Sequence, residues 1–304
     1  MSGMPLRTSY ESKLVDIPDD FLRTNPPDAK PITFEKVDFV EARLPEYKDC
    51  YAVVLENVLS PSECATLIKL AESSVGDKCR NKIDGTAWAP ALVNVGDGYE
   101  VAIPEYRNSD RIIWDEQDVV DRLWVRLESV PEIRDTLVSF SDSWDRVVLR
   151  PRKNGKEIKS AGEDDDTWWD FQRVNKRMRF LRYGPGQFFR PHCDAPYRET
   201  TEDGHRVQTH FTVHLYLNDS KQALKEGADK VDLVGGATSF LSSNQERKHD
   251  VDPKAGRVLI FQHRRLYHSG DDVKEGIKYT MRTDIMYRQR DGLINLDEGF
   301  LDSA

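Results

Sequence analysis

The period of the apolar positions changes along the chain. YAVVLENVL, residues 51–59, is an apolar-rich run of strand character. SPSECATLIKLAESS follows directly. Ser60 predicts an N-cap, Pro61 takes the first helical position, and Glu63 completes a capping box. Cys64, Leu67, Ile68 and Ala71 then share one face at helical spacing. A second helix is predicted over 115–129, with Val119, Val120, Leu123, Trp124 and Leu127 as its buried stripe. From Arg177 onward the period shortens. RMRFLRYG, QFFRPHCD, HFTVHLYLN, ATSFLS, RVLIFQH and KYTMRTDIMY are short and rich in β-branched and aromatic residues, with Gly, Pro, Asn and Asp between them.

Many short strands with turn signals indicate a sandwich or barrel. The expected fold class is α+β: a double-stranded β-helix (jelly-roll) core with an N-terminal helical region packed on it. Residues 1–45, rich in Pro, Asp and Lys, read as an extended N-terminal segment. Residues 46–150 read as the helical support and 177–290 as the jelly-roll domain. Residues 151–176, with Gly155, Gly162 and the acidic run Glu163–Asp166, read as a solvated charged loop, with a mobile lid as the alternative.

Composition narrows the function. The 304 residues are 38% hydrophobic and 32% charged, with a net charge of −9. An acidic chain is poorly suited to neutralising phosphates, so no nucleic-acid partner is expected. No run approaches the roughly 20 apolar residues of a membrane helix. MSGMPLRTSYESKLV lacks a cationic segment followed by an apolar run, so no secretory leader is expected. Cys50, Cys64, Cys79 and Cys193 form no CxxC pair and fit a reducing compartment. The expected location is the cytoplasm, with the nucleus as the second choice.

His192-Cys193-Asp194 is the central chemical feature. On a strand, residues i and i+2 point to one face, so His192 and Asp194 can reach one ion. Two histidines and one carboxylate on one face of an octahedron leave three positions open, the arrangement of non-haem Fe(II) oxygenases. All other histidines lie downstream. His205 and His210 flank a predicted turn, and His249 sits in polar NQERKHD. His214 lies on a strand and suits a core role. His268 is favoured as third ligand, because SGDDVKEG after it reads as a loop joining adjacent strands. His263 is the alternative. Cys193 should face the other side as a buried thiol. Lys278 and Arg282 lie four apart on the next strand and share a face, so either could take a carboxylate; a guanidinium grips it in two places, an ammonium in one.

These stretches together resemble the Fe(II)/2-oxoglutarate-dependent dioxygenases, in their prolyl 4-hydroxylase-like branch. The resemblance covers about 177–290 through LRYGPGQFFRPHCD, HLYLND, GGATSFL, AGRVLIFQHRRLYHSG and VKEGIKYTMR. ENVLSPSECATLIKLAE and YRNSDR also resemble the helical region upstream in such proteins. The resemblance implies His192, Asp194 and His268 as catalytic Fe(II) ligands. It implies Lys278 as the anchor of the cosubstrate 2-oxoglutarate, with Arg282 as an extra cation or replacement and Tyr183 as a hydrogen-bonding neighbour. It departs at Leu215, where some prolyl hydroxylases carry a tyrosine. The activity implied is oxidation, by hydroxylation, of a small-molecule or peptide substrate by O2, with succinate and CO2 released; ascorbate is a candidate reductant. Arg190, Tyr197 and Arg198 flank the ligand strand as candidate substrate contacts, with a solubilising rim role as the plainer reading. The alternative to an enzyme is a non-catalytic jelly-roll metal-binding or sensing protein. A closed zinc site would want a fourth ligand, for which His214 is the one candidate.

Overall fold

In the computed structural model, residues 4–8, 10–81, 84–96, 98–138, 152–153, 156–157, 169–224 and 226–289 are described. The strands that build the site are, in chain order, β1 (Thr33–Lys36), β2 (Ala52–Glu56), β3 (Arg107–Asn108), β4 (Asp110–Asp115), β5 (Trp169–Val174), β6 (Arg177–Tyr183), β7 (Phe188–His192), β8 (Arg206–Tyr216), β9 (Thr238–Leu241), β10 (Lys248–Val251), β11 (Val258–Gln262), β12 (His268–Gly270) and β13 (Lys278–Gln289). Two helices matter here: α1 (Pro61–Ser73) and α2 (Gln117–Glu128).

The strands form two facing antiparallel sheets, a jelly roll. The larger runs β1-β2-β11-β8-β13-β6-β4, and the smaller β10-β9-β12-β7-β3. Period-2 alternation sorts the side chains of the larger sheet. Phe211, Val213 and Leu215 of β8, Met178 and Phe180 of β6, and Met281 and Ile285 of β13 face outward, into a cluster with Leu67 of α1 and Val119 and Leu123 of α2. Tyr216, Leu259 and Phe261 face the other way, where they meet Phe240 of the smaller sheet. The site lies between the sheets.

Local chemistry explains the helices. The Ser60 side chain accepts from the Glu63 amide, and the Glu63 carboxylate accepts from the Ser60 amide at 2.8 Å. Glu63 also pairs with Arg126 of α2 at 2.7 Å, which locks the two helices together. The predicted stripe of α2 is buried at all five positions.

The N-terminal half is less purely helical than its pattern suggests. β1, β2 and β4 extend the larger sheet on both sides, and YRNSDR is strand rather than helix. Phe21, Leu22, Phe39 and Leu44 are buried, so the N-terminal segment packs on the core. Of the stretch read as a charged loop, residues 169–174 are β5, paired with β13. Gly155, Gly162 and the run Glu163–Asp166 lie outside the described residues. His210, expected beside a turn, is inside β8, and His249 is on β10.

One tight contact joins the halves. Gly256 adopts φ +77, and a Cβ there would lie 1.8 Å from the Leu59 carbonyl oxygen. Its own carbonyl accepts from the Val58 amide at 2.9 Å.

Candidate metal and dicarboxylate site

β7 and β12 are adjacent antiparallel strands, and His192 stands directly opposite His268. His268 is therefore a strand residue, not the loop-edge residue its neighbours suggest. β7 ends at His192, and Asp194 lies just beyond it. His192, Asp194 and His268 offer ligand atoms that all lie within 4.8 Å of one another. His263 is outside this group, and so is His214. The two imidazoles are oriented alike. His192 Nδ1 lies 2.8 Å from the Arg190 carbonyl and His268 Nδ1 lies 3.0 Å from the Leu266 carbonyl. A carbonyl only accepts, so each Nδ1 carries the proton and each Nε2 keeps a lone pair. The Nε2 atoms face the Asp194 oxygens at 3.6 and 3.8 Å. Burial pushes His268 down to about 4, with His192 adding to the effect, so its ring is neutral at physiological pH. Asp194 is buried, yet Arg282 and the histidines hold its carboxyl well below the usual range. A neutral His268 ring and an ionised Asp194 carboxylate are donors of the kind a divalent ion requires. Cys193, expected as a buried thiol, is exposed.

The cationic strand lies alongside. On β13, Lys278, Thr280 and Arg282 share the inward face, as their spacing predicts. Tyr183 of β6 is opposite Lys278, and Tyr216 and His214 of β8 are opposite Thr280 and Arg282. Lys278 is 2% exposed, and its ammonium lies 5.2 Å from the Tyr183 ring centre and 5.8 Å from that of Tyr216. Among the described residues no carboxylate stands within ion-pair distance of it. Burial pushes it down to about 8. Thr280 Oγ1 and His214 Nε2 are also buried and lack hydrogen-bond partners among the described residues. Buried polar atoms in a native protein have partners, so this cluster is shaped for a polar ligand. Arg282 differs: it meets Asp194 at 2.7 Å and Asp284 at 3.1 Å.

Several neighbours escaped the sequence reading. Phe189 stacks on His192 with ring centres 3.8 Å apart, and the Arg107 guanidinium lies 4.7 Å from the Phe189 ring centre. Tyr106 is edge-on to Phe189. Tyr216 borders the lysine, whereas Leu215 beside it faces the helices. A strand-pairing map would have revealed these neighbours; residue types alone do not. The three flanking candidates are committed locally. Arg190 pairs with Asp272 at 2.9 Å, Tyr197 donates to Glu199 at 2.9 Å, and Arg198 donates to Gln208 at 2.7 Å.

Comparison with known proteins agrees with the chemistry. Residues 178–283 match the family model of the 2OG-Fe(II) oxygenase superfamily. No curated protein matches the chain. Among solved structures, it resembles a viral collagen prolyl hydroxylase of Paramecium Bursaria Chlorella virus-1 in a 2OG complex, at 19% identity over 83% of this chain and 95% of that one, with a TM-score of 0.41. A Pseudomonas putida prolyl-4-hydroxylase is 14% identical over 83% of this chain and 100% of that one, with a TM-score of 0.44. A Trichoplax adhaerens prolyl hydroxylase, solved with a hypoxia inducible factor peptide fragment, is 15% identical over 77% and 82%, with a TM-score of 0.42. At these scores no residue role is carried across. The segment that matches the 2OG-Fe(II) oxygenase superfamily holds His192, Asp194, His268 and Lys278.

Proposed function

We propose that His192, Asp194 and His268 hold the Fe(II) ion of this 2-oxoglutarate-dependent dioxygenase, and that Lys278 anchors the far carboxylate of 2-oxoglutarate. The observation that carries the reading is the pairing of two adjacent, differently built sites. One is a set of three metal donors with proton positions already sorted. The other is a buried ammonium among buried polar atoms without partners. A purely structural ion needs the first and has no use for the second.

With its ion and cosubstrate bound, the centre supplies O2-dependent oxidation of an organic substrate, here hydroxylation, with release of succinate and CO2. The protein contributes placement. The carbonyls of Arg190 and Leu266 fix the imidazole tautomers, which aims both lone pairs at one point. Thr212 donates to Asp194 at 2.6 Å and holds the carboxylate between the rings. Lys278 stands opposite Tyr183 and on the same strand face as Thr280, so the negative end of the dicarboxylate would meet the ammonium between them. The ion pairs of Arg282 with Asp194 and Asp284 favour Lys278 over it as the anchor. The walls around Lys278 are aromatic and exclude water, which strengthens each charge interaction inside. Phe189 stacks on His192, Tyr106 lies edge-on to both rings, and Arg107 covers the other ring, Phe189.

An anaerobic titration tests the assignment. Fe(II) with 2-oxoglutarate should give a weak visible charge-transfer band, absent in His192→Ala, and the aerobic protein should produce succinate from 2-oxoglutarate. Loss of neither band nor succinate in His192→Ala would rule out the ligand set.

A further inference from the structure

Behind the three donor residues runs a buried line of alternating charge. Asp194 Oδ1 meets Arg282 Nη1 at 2.7 Å, and its Oδ2 accepts from Thr212 at 2.6 Å. Arg282 Nη2 donates to Asp284 Oδ1 at 3.1 Å. Asp284 Oδ2 accepts from Arg179 Nη1 at 3.0 Å, and His263 Nε2 stands 3.4 Å from Oδ1. Strand register sets this order. Arg179 of β6 is opposite Arg282 of β13, and Thr212 of β8 is opposite Asp284, so all of these side chains emerge on one face.

Asp194, Arg282 and Asp284 each have an opposite charge or a hydrogen-bond partner on either side, which is how ionised groups persist away from water. Although burial opposes ionisation of Asp284, Arg282, His263 and Arg179 together hold its carboxyl far below the usual range. Asp284 is thus a fixed negative charge whose partner is Arg282. A guanidinium is planar and rigid, so holding one edge on Asp284 aims the other edge.

We infer that Arg282 and Asp284 are positioning residues for the metal: Asp284 aims Arg282, and Arg282 with Thr212 fixes the rotation of the Asp194 carboxylate between His192 and His268. This rests on the reading of His192, Asp194 and His268 as ligands. It separates Lys278 and Arg282 of β13 by task, Lys278 toward the cosubstrate and Arg282 toward a ligand. His263 enters as a brace for Asp284, not as a ligand.

Co(II) binding to the full chain, followed by its visible absorption, provides the test. Asp284→Asn should weaken Co(II) binding about 10-fold, because outer partners of metal ligands typically contribute that much. Arg282→Lys, which keeps the charge and loses the two-edged geometry, should also weaken it and alter the band shape. Lys278→Met should leave Co(II) affinity at the wild-type value while weakening 2-oxoglutarate. Wild-type Co(II) affinity and band shape in both Asp284→Asn and Arg282→Lys, or in Arg282→Lys alone should Asp284→Asn fail to fold, would overturn the inference. Equal Co(II) affinity in wild type and His192→Ala would instead overturn the ligand assignment and this inference with it.

Discussion

His192 and His268 face each other across one antiparallel pair, with ring centres 4.4 Å apart. Two of the three proposed metal donors therefore come from a single rung of the smaller sheet. Replacing either ring with Ala removes a third of the donor set and leaves Asp194 beside one histidine. Each variant is expected to lose Fe(II) binding and 2-oxoglutarate turnover while keeping the far-UV circular dichroism of the wild type. Retained turnover in His268→Ala would point to His263 instead.

Lys278 and Arg282 separate kinetically. A charge-assisted hydrogen bond is worth about 1.5–3 kcal/mol, so Lys278→Met should raise the 2-oxoglutarate KM by roughly 10- to 100-fold. Arg282→Lys should move KM far less. Comparable KM increases in both variants would place the dicarboxylate across the two cations.

The buried lysine also sets a pH limit. Below about 8 Lys278 is an ammonium and, as the proposed anchor, should attract the dicarboxylate; above it the neutral amine should not. The kcat/KM for 2-oxoglutarate should fall as pH rises through 8, approaching about tenfold per unit. In Lys278→Arg the cation persists, so that fall should shift out of the range. An unchanged alkaline limb in Lys278→Arg would assign it to another group.

Two backbone features should govern stability. Gly256→Ala combines a positive φ with a Cβ driven into the Leu59 carbonyl, and no flexible side chain can yield. Urea denaturation should show a loss of several kcal/mol, or no folded protein. Ser60→Ala removes the cap of α1 and should cost about 1 kcal/mol. If Gly256→Ala proved milder than Ser60→Ala, the close approach would be wrong.

The helices and the proximity of His192 to Asp194 were legible because their signals are local. The Ser60–Glu63 box, the α2 stripe and the His192–Asp194 spacing each lie within a few residues. What escaped depends on lateral pairing. Lys278 and Arg282 look alike in sequence, and the ion pairs from Arg282 to Asp194 and Asp284 tell them apart. Thr212, Tyr216 and Asp284 acquire roles through the strand that happens to lie opposite. β2 was legible as the apolar run 51–59, whereas β1 and β4 were hidden because a strand added to a sheet edge needs only a short apolar run, which also suits a connecting segment between helices.

Those added strands bear on how much of the chain is needed. β2 covers the open side of β11, and β4 covers that of β6. The segment matching the oxygenase family begins after both. Cut out alone, it would present two rows of unsatisfied amides and carbonyls, together with the apolar face that α1 and α2 cover, and would stick to its own copies. The upstream half thus seals the edges and the apolar face of the half that holds the candidate site.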